Sequence, residues 1–89
     1  MKTPAETRRI LDKLEAQLRD TEKQLTDLKN FEAGEGQGAA GRQLHKGYSM
    51  EPVPDQIAKL ETKRQQLQER ISEVYDEARK EGVLPGQLR

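Results

Sequence analysis

The side chains in this chain best suited to chemistry are a single histidine and a set of acidic residues. His45 lies in a glycine-rich stretch, there is no cysteine, and most of the 16 Asp and Glu residues are spread along two helix-patterned segments. Catalysis needs a nucleophile or base held beside an orienting group, and a zinc site needs several His or Cys ligands. We therefore expect no enzyme activity, no metal site and no cofactor, and we interpret His45 as a solvent-exposed loop residue.

The glycine-rich stretch looks at first like a phosphate-binding loop, because Gly34, Gly36 and Gly38 alternate with other residues. Nucleotide-binding glycine loops follow a strand and open directly into a helix. This stretch follows a helix pattern, contains Glu32 and Glu35, and lacks the Lys-Ser/Thr pair of a P-loop. We interpret its first half as a flexible linker.

Its second half is basic and aromatic, since Arg42, His45, Lys46 and Tyr48 occur within seven residues. Positive groups beside a stacking ring are the minimum for a contact with single-stranded nucleic acid. The chain as a whole has 16 Lys and Arg against 16 Asp and Glu, so no global field attracts an anionic polymer. Nucleic-acid binding through this segment is kept as an alternative.

Binding of a protein partner explains the same segment better than nucleic-acid binding does. Antiparallel helices need only about 2 to 8 connecting residues, and much longer loops tend to be functional or disordered. Apolar residues among the basic ones could become ordered on a partner. The predicted partner-binding residues are Arg42, Leu44, His45, Lys46, Tyr48 and Met50. In the alternative without function, Leu44 and Tyr48 cap the end of the hairpin beside Phe31.

The segments on either side carry the spacing of a coiled coil. Thr3-Pro4-Ala5-Glu6 is a helix-capping pattern, and Gly82 followed by Pro85 is a helix stop. Residues recur at alternating spacings of three and four, as at the a and d positions of heptads. These positions, called the seam below, are Thr7, Leu11, Leu14, Leu18, Thr21, Leu25 and Leu28, and Ile57, Leu60, Arg64, Leu67, Ile71, Val74 and Ala78. The pattern predicts one domain, 1–89, with a helix over about 4–31, a loop over 32–53, a helix over 54–81 and a tail over 82–89, in which Leu84 and Leu88 are placed to pack back on the helices.

Antiparallel pairing brings all seam residues into one register, in which the numbers of opposing residues sum to 85. Thr21 then faces Arg64, and a polar layer of this kind can fix the register or the oligomeric state. Alternatively, Arg64 simply extends its guanidinium group to water. The predicted fold is an all-α, antiparallel two-helix coiled-coil hairpin with a long glycine-rich loop.

The chain has 89 residues, of which 31% are hydrophobic. Chains of this size struggle to bury enough apolar surface alone, so we expect a homodimer in which two hairpins form a four-helix bundle. An extended chain that pairs with a second copy along both helices fits the same pattern. The N-terminal residues lack the apolar run of a signal peptide and no stretch approaches a membrane span, so we expect a cytoplasmic protein with no membrane contact.

The outline resembles small helical-hairpin proteins of the Rop type and, more distantly, the coiled-coil finger of Gre-type transcription factors, whose tip carries functional acidic residues. Glu32 and Glu35 lie near the predicted tip, but their spacing matches no motif of either family. The sequence thus predicts a non-enzymatic interaction, regulatory or adaptor protein that binds a protein of unknown identity. A purely structural assembly module is a further alternative.

Overall fold

The computed structural model describes residues 2–34 and 51–88. Two α-helices, α1 (Pro4–Glu32) and α2 (Val53–Lys80), pack against each other as a helical hairpin, and a 3-10 helix, Pro85–Leu88, follows α2. This confirms the predicted fold class. The predicted helix ends differ from the observed ones by at most one residue.

The helix α1 begins where its capping residues predict. The backbone N–H of Glu6 donates to Thr3 Oγ1 at 3.2 Å, and the N–H of Thr7 donates to the Thr3 carbonyl at 3.0 Å. The first bond satisfies an N–H group that has no partner within the helix, and the second is the first i→i−4 bond of the helix. Beyond the other end, Gly34 adopts a φ of +80° and donates its N–H to the Phe31 carbonyl at 3.0 Å. A left-handed glycine directly after the last turn is a common way to end a helix.

The helix α2 begins one residue before the predicted start. The Pro52 carbonyl accepts the N–H of Asp55 at 3.0 Å and that of Gln56 at 3.1 Å, so Val53 already belongs to the first turn. At its other end Gly82 has a φ of +84°, as the sequence predicts for the stop. Its N–H donates to Arg79 O at 3.0 Å and the N–H of Val83 donates to Ala78 O at 2.8 Å, which together form a Schellman motif.

The chain divides into two compact units, each of which draws on both helices. The first unit combines Met1–Arg19 with Gln65–Arg89. Its core contains the seam residues Leu11, Val74 and Ala78 together with Val83 and Leu88 from the tail. Partly buried hydrophobic side chains surround this core, namely Ile10, Leu14, Ile71 and Tyr75. Leu11 and Val74, which the register pairs, therefore lie in one cluster.

The second unit is Asp20–Arg64. Its core consists of Leu25, Leu28 and Ile57, with Val53 and Leu60 packed partly buried against it. The pair Leu28 and Ile57 again follows the predicted register. In both units hydrophobic seam residues form most of the core, as the heptad spacing predicts.

The tail agrees with the prediction at one leucine and not at the other. Leu88, on the 3-10 helix, is only 6% exposed and lies in the core of the first unit. Leu84 is 67% exposed, so the prediction that it packs back on the helices is wrong. The reason is local: Val83 takes the inward position after the Schellman turn, which directs the next side chain outward.

Candidate partner-binding surface

The six predicted partner-binding residues, Arg42, Leu44, His45, Lys46, Tyr48 and Met50, lie outside the described residues. Their role stays a prediction. The structure does describe the two positions between which this segment runs, which are Gly34 after α1 and Glu51 before α2. These two positions belong to the second unit.

Glu51 contacts the first turns of α2 through both its side chain and its main chain. Its carboxylate Oε2 lies 2.6 Å from Lys59 Nζ, and its backbone carbonyl accepts a hydrogen bond from Gln56 Nε2 at 2.7 Å. One contact uses the side chain and the other the main chain, so the direction in which the chain enters the helix is restrained. Sequence reasoning missed both contacts because spacings of five and eight residues are not those of side-chain pairs on one helix.

A second set of charges links the two helices in this unit. Lys29 Nζ on α1 lies 3.5 Å from Glu61 Oε2 on α2, and Arg64 approaches the same oxygen at 4.0 Å. Both cations are partly exposed, and pairs of this kind contribute only about 0 to 1 kcal/mol. Glu61 is thus shared between one residue of each helix.

The two residues of the predicted register layer, Thr21 and Arg64, differ in their exposure to solvent. Thr21 is fully buried, at 0% exposure, whereas the Arg64 side chain is 36% exposed and directed to Glu61. Among the described residues, no buried side-chain polar atom lacks a hydrogen-bond partner. The position of Arg64 agrees with a stem that packs on the seam and a charged end that reaches water. That this layer sets register or oligomeric state stays a prediction.

Two further features of the described surface bear on metal and small-molecule binding. Within residues 2–34 and 51–88 no group of three or more His, Cys, Asp or Glu side chains could hold a metal ion. One shallow depression lies along α2, lined by Gln65, Gln68, Glu69, Ser72 and Glu73. Neither described α-helix has a long enough apolar stretch to cross a bilayer.

Comparison of the chain with protein-family models, with curated proteins and with solved structures gave no match. What the protein does is therefore inferred from its own residues and their geometry.

Proposed function

We propose that this chain is a non-enzymatic interaction or regulatory protein, located in the cytoplasm, which binds a protein partner through residues 42–50. In this proposal the two-helix hairpin is the scaffold. The ends of α1 and α2 near Gly34 and Glu51 adjoin the binding segment.

The observation that carries the proposal is the length of the connection between the helices. The helix α1 ends at Glu32 and α2 begins at Val53, so residues 33–52 join them. Helix–helix connections usually take about 2 to 8 residues. The surplus includes the segment that combines basic, aromatic and aliphatic side chains, which is the composition expected of a site that folds onto a partner.

The contacts at Glu51 support the same proposal. Lys59 and Gln56 fix the residue that follows the binding segment through both its carboxylate and its carbonyl. A segment anchored at its end loses less conformational freedom when it binds. These contacts would lower the entropic cost of binding by the segment that precedes Glu51.

Self-association is the second part of the proposal. The two cores contain few fully buried side chains, and the seam residues Leu14, Leu18, Leu60 and Ile71 stay partly exposed. A second hairpin would cover such side chains. We propose a homodimer that forms a four-helix bundle.

The binding proposal is tested by replacing residues 35–50 with a short Gly-Ser turn. This change keeps Gly34, Glu51 and the contacts of Glu51 with Gln56 and Lys59. We expect helical circular dichroism and the Tm to be retained, and affinity capture of the partner from an extract of the source organism to be lost. A matched control replaces only residues 35–41 and should still capture the partner. If the protein with residues 35–50 replaced still captures the partner, the binding site lies on the helices or in the tail.

The nucleic-acid alternative is separated from protein binding by paired substitutions. Arg42→Ala with Lys46→Ala should weaken any salt-dependent binding of a labelled oligonucleotide, whereas Leu44→Ala with Met50→Ala should weaken protein capture. Fluorescence anisotropy of the labelled oligonucleotide at low salt decides between nucleic-acid binding and protein binding. Oligonucleotide binding that the first pair weakens and the second leaves intact would replace the protein-binding proposal.

A further inference from the structure

A second row of residues runs along α2 beside the seam. Its members recur at the same alternating spacings of three and four, and they are Glu61, Gln65, Gln68, Ser72, Tyr75 and Arg79. This spacing places them on one face of the helix, about a quarter of a turn around α2 from the seam. We call this row the second stripe. Its four central members are uncharged, whereas Glu69 and Asp76 on its far side carry charge.

The second stripe is open to solvent. Gln65, Gln68 and Ser72 are exposed and line part of the shallow depression along α2, and Tyr75 is partly buried. Gln65 Nε2 donates to Glu69 Oε1 at 3.2 Å. Within the described part of the chain, the side chains of Gln68, Ser72 and Tyr75 make no hydrogen bond. The polar groups of this face are therefore available to a partner.

The second stripe is complementary to itself in reverse order. Two antiparallel copies of α2 can be aligned so that opposing residue numbers sum to 140. Gln68 then faces Ser72 of the second copy, and Gln65 faces its Tyr75. Amides and hydroxyls both donate and accept hydrogen bonds, so these layers can pair. A parallel copy, in contrast, would place each residue against its own kind.

The charged ends of the second stripe select the same register, because Glu61 of each copy faces Arg79 of the other. Both side chains can make a further ion pair: Glu61 is 45% exposed beside Lys29, and Arg79 is 64% exposed beside Asp76. A shift of four residues in one direction would place Arg79 opposite Gln65, and a shift of three in the other would place it opposite Ala58. Opposite charges therefore meet twice in one register and not in those next to it.

We propose that the second stripe is the surface on which a second copy of the chain docks, with the two α2 helices antiparallel about a two-fold axis. The inference rests on the proposed homodimer and assigns its contact face. In a four-helix bundle each helix contacts two neighbours, in directions about a quarter of a turn apart, which is the angle between the seam and the second stripe. Contact there also covers the exposed part of Ile71, a seam residue beside the stripe.

The test uses two double variants of the 89-residue chain. In Gln68→Lys with Ser72→Lys, and in Gln68→Glu with Ser72→Glu, like charges face each other in the central layers of each homodimer. We expect the dimer dissociation constant of each variant alone to rise at least about tenfold. In an equal mixture the lysines of one chain face the glutamates of the other, so the dimer should return. Sedimentation equilibrium measures the mass and the dissociation constant.

Thr62→Lys with Gln66→Lys is the matched control. These two residues are also exposed and four apart on α2, but they lie off the second stripe, so the dimer should be unchanged. Recovery of the dimer in the mixture of the two test variants would also show that both of them fold.

Three results would overturn the proposal, and they differ in what they leave standing. If the unmodified protein dimerises and each test variant alone dimerises equally well, the stripe does not contact a second copy, while the homodimer stands. If the test variants are weakened and do not recover on mixing, the antiparallel register is wrong. If the unmodified protein has the mass of a single chain, the proposed homodimer is wrong as well.

Discussion

Arg64 is a seam residue of α2 that carries a charge, and its environment is mixed. Its side chain is 36% exposed, and NH2 lies 4.0 Å from Glu61 Oε2. A pair with this exposure contributes about 0 to 1 kcal/mol, since solvent screens the charges. The aliphatic stem, in contrast, occupies a position that the heptad spacing reserves for an apolar side chain. Arg64 therefore buries less apolar surface on the seam than an apolar side chain would at this position.

We expect Arg64→Leu to raise the free energy of unfolding by about 1 kcal/mol, because part of a leucine side chain becomes buried on the seam. Arg70→Leu is the matched control. Arg70 is 43% exposed and pairs with Glu73 at 3.7 Å and Glu77 at 3.4 Å, but it lies off the seam. Urea denaturation should show a higher free energy of unfolding for Arg64→Leu and no increase for Arg70→Leu. A lower Tm for Arg64→Leu, or an equal gain in both variants, would contradict the role assigned to the seam.

The two long helices are the part of the fold that the sequence predicts well. Local signals agree there: Thr3 caps α1, Gly82 ends α2, and leucines at heptad spacing provide one apolar face. The sequence predicts the start of α2 at about Pro54, with the Asp55 carboxylate in the first turn. Hydrogen bonds to the Pro52 carbonyl place the start at Val53 instead. An error of one residue arises because several adjacent residues can each begin a helix.

Contacts that depend on the path of the chain outside the helices are not predictable in this way. Leu84 and Leu88 are equally apolar, and the Schellman turn and the 3-10 helix that follows it place Val83 and Leu88 inward. The link between Glu51 and Lys59 spans a helix start and follows no periodic spacing. Composition and surplus length identify the candidate segment but predict no geometry for it.

The end of α2 supplies a prediction about this element. In Gly82→Ala a β-carbon must adopt a left-handed conformation, which costs about 1 to 2 kcal/mol. The β-carbon meets no atom within 4 Å, so the cost is purely that of the backbone. We expect the Tm to fall by about 4 to 8 °C for each kcal/mol lost.

Gly86→Ala is the control for this change. Gly86 also has open space around it, but its φ is not positive. An alanine there restricts the unfolded chain, so the stability should stay unchanged or rise by about 0.4 to 1 kcal/mol. Thermal unfolding followed by circular dichroism measures both variants. Equal losses at the two glycines would show that the left-handed stop does not limit stability.

The two cores of the whole molecule are small, and the fold must be stable with the apolar surface that they bury. The first unit buries the seam residues Leu11, Val74 and Ala78 with two tail residues, and the second buries Leu25, Leu28 and Ile57. Chains of this size bury a smaller fraction of their surface than larger domains do. Oligomerisation is one of the usual remedies for small folds. The proposed homodimer would supply the missing apolar contact by covering the partly exposed seam leucines.

Self-association links stability to protein concentration, because the dimer is favoured by mass action while unfolded chains are separate. A tenfold increase in concentration adds about 1.4 kcal/mol to the stability of a dimer. For about 180 residues in two chains, this raises the Tm by about 3 to 6 °C. Thermal unfolding at protein concentrations from micromolar to millimolar, with light scattering to give the mass, measures the effect. A constant Tm together with the mass of a single chain would show that the hairpin is stable alone, and the four-helix bundle would then be wrong.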